Sequence, residues 1–164
     1  MAIVYKRNTI KMTFNQIVQK FKVIGDNHLF INRFGTGQVT DIDAVIADWI
    51  QFPVLWIIPQ SIEVSENTVS YTFRTMVFDI VNTDDTPETE ILSDTSSTLI
   101  DVIKLFRYDG LDGVDPDGVP TDYGINETIT LIPFTERFTD YVSGWYADIT
   151  IITGADNNPC SDGL

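Results

Sequence analysis

The stretch Asp112-Gly113-Val114-Asp115-Pro116-Asp117-Gly118 is the one place in this 164-residue sequence where oxygen ligands recur at a cation-loop spacing. With Asp115 and Asp117 at the third and fifth positions of an EF-hand loop, Gly118 falls at the sixth, where a glycine makes the sharp turn. The first position is then Gly113 and the twelfth Gly124. The leading aspartate and the closing bidentate glutamate are both missing, so an acidic solvated loop is expected in place of a calcium site. His28 is the single histidine and follows the first helix beside Asn27 and Leu29, where a surface or capping role is expected. General-base chemistry would need a partnered nucleophile, and none is signposted. One histidine and one cysteine, Cys160, exclude the usual zinc cages and an internal disulfide. Gly35-Thr36-Gly37 lacks the third glycine and the following helix of a phosphate-binding loop. Asp79 and Asp148 interrupt strand patterns and are read as exposed or hydrogen-bonded positions, not as a catalytic carboxylate pair. The expectation is a protein that is not an enzyme and uses no cofactor or metal.

Thr13-Phe14-Asn15-Gln16 has the form of a capping box, and Phe14, Ile17, Val18 and Phe21 repeat at helical spacing, which predicts a helix over 13–23 stopped by Gly25-Asp26-Asn27. His28 to Gln38 reads as a short strand with a turn, and Asp41 to Trp49 as ambiguous, at most one helical turn. Val54-Leu55-Trp56-Ile57-Ile58 is an unbroken apolar run between prolines, the pattern of a strand covered on both faces. Ser65 to Thr68 is a turn into a second strand, Val69 to Val81. That strand alternates at its start and is apolar on both faces from Met76 onward. Thr86-Pro87 with Glu88 and Glu90 starts a second helix that ends near Arg107. Tyr108 to Asn126 reads as a loop, followed by strands over 128–134 and 145–152.

This order gives an α+β class: a two-layer domain with a mostly antiparallel sheet and two helices packed on one face, spanning 1–153, and a flexible polar C-terminal tail over 154–164. At this length a chain buries roughly 68 to 70 % of its unfolded surface, enough for a core without staples. Two helices cover one sheet face only. The doubly apolar segments therefore call for a second cover, either from this chain or from a neighbouring subunit, which makes Val54, Trp56, Met76 and Phe78 candidate interface residues.

Charge is divided along the chain. The first 33 residues hold six basic residues against Asp26, a net of +5, while the remaining 131 hold four basic residues against 23 acids, a net of −19. Such asymmetry suits copies that dock head to tail, with Lys6, Arg7 and Lys11 as candidate contacts to an acidic neighbour. A net charge of −14 opposes binding to a phosphate backbone, which draws its strength from clustered Lys and Arg. No stretch approaches the run of about 18 apolar residues that a membrane span needs. Synthesis in the cytoplasm is the expectation, with no membrane partner.

The segments Phe52 to Pro59, Ser70 to Asp79, Glu90 to Thr95, Asp101 to Phe106 and Tyr141 to Ile149 together resemble small structural proteins of tailed bacteriophages, in particular tail-terminator or head–tail joining (neck) proteins. The likeness runs from Phe14 to Ile152 in order and spacing of elements. It implies a subunit of a homo-oligomeric ring in the virion neck or tail, made in the host cytoplasm. Such a ring contacts portal, connector or tail-tube proteins, with DNA passing through the centre without specific binding. Asp109, Asp112, Asp115 and Asp117 are then candidates for a loop facing the channel or solvent. The alternative is an acidic glycan- or calcium-binding module that uses Trp49, Trp56, Trp145 and the Asp-rich loop.

Overall fold

The computed structural model describes residues 12–38, 40–42, 51–81, 87–111, 123–137 and 141–154. Six strands form one sheet: β1 (Arg33–Thr36), β2 (Val54–Val64), β3 (Thr68–Ile80), β4 (Tyr123–Ile125), β5 (Ile132–Arg137) and β6 (Tyr141–Gly154). Their order is β1-β2-β3-β6-β4, with β5 beside β4 on the outer side of β6. Every pairing is antiparallel except β1 with β2. Two long helices, α1 (Phe14–Asn27) and α2 (Glu88–Leu111), accompany the sheet, and residues 40–42 form a further helical turn. The fold is α+β, as the alternation of patterns predicts.

The capping box forms as the sequence spells it. Thr13 Oγ1 accepts from Gln16 N–H at 3.3 Å and Gln16 Oε1 accepts from Thr13 N–H at 2.8 Å, an arrangement that contributes about 1 kcal/mol. The helix does not stop at Gly25, contrary to expectation. Gly25 is buried, and a Cβ there would meet Leu55 Cδ2 at 3.2 Å and Phe34 Cβ at 3.3 Å. Its glycine serves close packing of helix on sheet, and α1 ends at His28, whose backbone N–H bonds Ile24 O.

One sheet face carries Leu55, Ile57, Phe73, Val77, Ala147, Ile149 and Ile151, which pack with Ile17, Phe21 and Ile24 of α1 and Leu99, Val102, Ile103 and Phe106 of α2. Phe21 joins the layers, its ring 5.8 Å from Phe73 and 4.6 Å from Phe106. Thr75 lies on this face, wholly buried, and its hydroxyl has no hydrogen-bond partner among the described residues.

The opposite face holds a second cluster: Val54, Trp56, Ile58, Met76, Phe78 and Val142, closed over by Ile42 and flanked by Phe52, Phe134 and Tyr146. This corrects one expectation. Val54, Trp56, Met76 and Phe78 are buried within the single chain, Phe78 completely, so the cover they require is intramolecular and their side chains do not present an interface. The same face becomes polar further along β3 and β6. Arg74 donates to Asp148 through Nε at 2.9 Å and Nη2 at 3.1 Å, lies 4.6 Å from the Tyr146 ring centroid, and is followed by a Thr72–Thr150 hydroxyl bond of 3.0 Å.

Between Pro59 and Ser61 the β2–β3 register shifts by one residue. A bulge reverses the facing of everything beyond it. Val54, Trp56 and Ile58 point to the second face, but Ile62 and Val64 pair with Tyr71 and Val69 and come round to the helix face.

Candidate functional site

Among the described residues Ile100, Ile132, Tyr141 and Ile152 are exposed apolar side chains outside both clusters, and in two further places such side chains adjoin a cavity or groove. The first follows α1. His28-Leu29-Phe30 was expected to begin a strand, but β1 starts only at Arg33, and the segment is a turn that closes with Ile31 N–H bonding His28 O at 3.2 Å. Phe30 N–H donates to His28 Nδ1 at 3.2 Å, and His28 Nε2 lies 3.5 Å from Asp101 Oδ2 on α2. The imidazole thus pins the turn to both helices. Leu29 and Phe30 project from it, 92 % and 66 % exposed. Beneath them is an open cavity of about 460 Å³ with Val23, Ile24 and Leu105 in its walls.

The second place is the β2–β3 hairpin. Ile62 and Val64, turned to the helix face by the bulge, lie beyond the reach of α1, whose first residue Phe14 stacks only as far as Tyr71, at 6.5 Å between ring centroids. They are 55 % and 77 % exposed. Phe14, Pro59, Ile62 and Tyr71 line a groove of about 210 Å³ there. The two places lie at opposite ends of α1, whose 14 residues span about 21 Å.

Lys6, Arg7 and Lys11 lie outside the described residues, as do Asp112, Asp115, Asp117 and Trp49. Asp109 falls within α2 and not in a loop. Gly124, the twelfth position of the calcium-loop alignment, is in β4 opposite Ile152. Among the described residues no group of three or more His, Cys, Asp or Glu side chains is placed to hold a metal. Trp56 and Trp145 are turned inward, their indole N–H groups donating to Gly37 O at 3.2 Å and Leu92 O at 2.7 Å. Neither offers an open stacking platform for a sugar ring.

Asp79 and Asp148 are on opposite faces of the sheet, Asp79 across from Ser143 and Asp148 across from Arg74. They form no pair. Burial holds the Asp79 carboxyl above its ordinary range, opposed by the Ile80 N–H bonded to it and reinforced by the charge of Asp94. Glu88 at the start of α2 accepts from the hydroxyls of Ser143 at 2.8 Å and Thr135 at 2.9 Å, and these two bonds hold its carboxyl below the usual range.

The Leu29–Phe30 knob and the hairpin groove were not picked out from sequence. The available signals were two adjacent large apolar residues after a helix stop, which alternation cannot bury on one strand face, and the polar Gln60 that inserts the bulge. No family model matches the chain, and no curated protein matches it either. No helix among the described residues is long and apolar enough to cross a membrane.

Proposed function

We propose that this protein is a non-enzymatic structural subunit that assembles with copies of itself into a ring, as a tail terminator or head–tail connector of a tailed bacteriophage does. DNA passes through the ring without specific binding, and portal, connector or tail-tube proteins are its other neighbours. The observation that carries the reading is the pair of exposed apolar surfaces at the two ends of α1. A ring needs a heterologous interface, in which one surface of each subunit meets a different surface of the next. A single chain with two separate, dissimilar apolar surfaces supplies that requirement.

The net charge of −14 supports the passive role toward DNA, since a ring of such chains repels phosphates. The phage assignment rests on the resemblance in element order from Phe14 to Ile152. Negative-stain electron microscopy of the purified full chain should show closed rings with a central opening, and an electrophoretic mobility assay should show no retained duplex DNA at physiological salt. Compact monomers in the micrographs, or salt-sensitive DNA retention, would contradict the proposal.

A further inference from the structure

Four observations bear on how copies of this chain would meet. The Leu29–Phe30 knob stands largely in solvent, Leu29 more so than Phe30, on a turn contacted at both sides by His28. Exposed, rigidly held large side chains are the form taken by interface anchors. The hairpin groove, at about 210 Å³, is smaller than the roughly 300 to 1,000 Å³ of small-molecule sites and offers the room of a single large apolar side chain. Phe14, Tyr71 and Phe73 pack together along it, with the Phe14 ring centroid 6.5 and 5.4 Å from those of Tyr71 and Phe73. Further apolar surface flanks each place: Val23 and Leu105 beside the knob, Val64 beside the groove.

Charge disfavours one alternative pairing. The hairpin carries the exposed acids Glu63 and Glu66, so two hairpins brought together would set acid against acid. The knob end is mixed. Lys22 pairs with Asp26, Asp101 is engaged by His28, and exposed Lys104 adjoins Leu105. The knob end, with Lys22 and Lys104 balanced by Asp26 and Asp101, carries no excess of acid to repel Glu63 and Glu66, as a second hairpin would.

We infer that the partner of the groove formed by Phe14, Pro59, Ile62 and Tyr71 is the Leu29–Phe30 knob of a second copy of this chain, making a head-to-tail contact. The inference rests on the ring reading and names the surfaces that would close it. The test uses the full chain with two double variants, Leu29→Asp with Phe30→Asp, and Ile62→Asp with Val64→Asp. All four side chains are exposed, so each variant should melt within a few degrees of the wild type. By sedimentation velocity each should be monomeric under conditions where the wild type assembles. An equimolar mixture should form a 1:1 heterodimer and nothing larger, because one intact knob then meets one intact groove.

A covalent readout is independent of the aspartates. In a Cys160→Ser background, Phe30→Cys combined with Ile62→Cys should give a ladder of oxidised oligomers on non-reducing electrophoresis, whereas either cysteine alone should stop at dimers. Wild-type-sized oligomers in both aspartate variants, or no heterodimer in the mixture and no ladder, would overturn this contact while leaving the ring reading in place. A wild type that stays monomeric at every concentration would overturn both.

Discussion

The indole of Trp56 fills the space that a side chain on Gly35 would occupy: a Cβ built there would lie 2.1 Å from Cζ3 and 2.3 Å from Cε3. The two residues are direct partners in the parallel β1–β2 pair, and the ring is held over the glycine by its N–H bond to Gly37 O. A glycine in a strand marks such a close approach.

Gly35→Ala should therefore displace Trp56 and loosen the second cluster. The expected loss is about 1–3 kcal/mol, the usual range for forcing extra atoms into a packed site. Urea unfolding followed by tryptophan fluorescence checks it, with an unchanged midpoint as the contrary result.

Phe78 separates a core role from an interface role. Completely buried between Phe52 and Phe134, with ring centroids 6.2 and 6.1 Å away, it should cost about 3–5 kcal/mol when changed to alanine. The loss should appear in the dilute monomer, where an interface residue would leave stability unchanged.

Thr75→Val is expected to stabilise. Valine keeps the branched shape while removing a buried hydroxyl that has no partner among the described residues, and such groups cost about 1–3 kcal/mol. A gain of about 1 kcal/mol in unfolding free energy is the prediction, and a loss of that size would reveal a partner for the hydroxyl.

Two carboxylates should act oppositely with pH. Asp79 is raised in the fold, so the native state holds its proton more tightly, and stability falls as pH rises through that raised value. Asp79→Asn, whose amide oxygen can still accept from Ile80 N–H, should raise the melting temperature at neutral pH, with the gain vanishing in acid. Glu88 is lowered, so its contribution is present above the unfolded carboxylate range and is lost as pH falls through the folded value. Glu88→Gln should lower the melting temperature at neutral pH and converge with the wild type in acid. Melting curves between about pH 3 and 7 for both variants distinguish the signs, given carboxylate values near 4 in the unfolded chain.

The central sheet was legible because β2, β3 and β6 carry long, low-noise patterns. The change in β3 from alternation to a doubly apolar end corresponds to its passage from the polar Arg74–Asp148 region into the second cluster. Strand β4 was hidden. Tyr123-Gly124-Ile125 is too short for periodicity, and it is held by pairing to β6 and by the Tyr123 hydroxyl donating to Phe106 O at 2.6 Å, both long-range contacts. Gly25 looked like a stop because local propensity cannot register the approach of Leu55 and Phe34 from distant strands. The source of the cover over the second face was not legible for a similar reason: the apolar run of β2 shows that something lies over it, not which chain supplies it. The bulge was marked in the sequence only by the polar Gln60, and alternation alone does not show that it turns Ile62 and Val64 onto the helix face.

Native mass spectrometry of the untagged full chain over a range of concentrations tests the central claim most directly, that copies of this subunit close into a ring. The account predicts one dominant species above the dimer, at a whole-number multiple of 18.5 kDa, that does not grow further as concentration rises. A single 18.5 kDa species at every concentration, or an open-ended series without a preferred size, would contradict it.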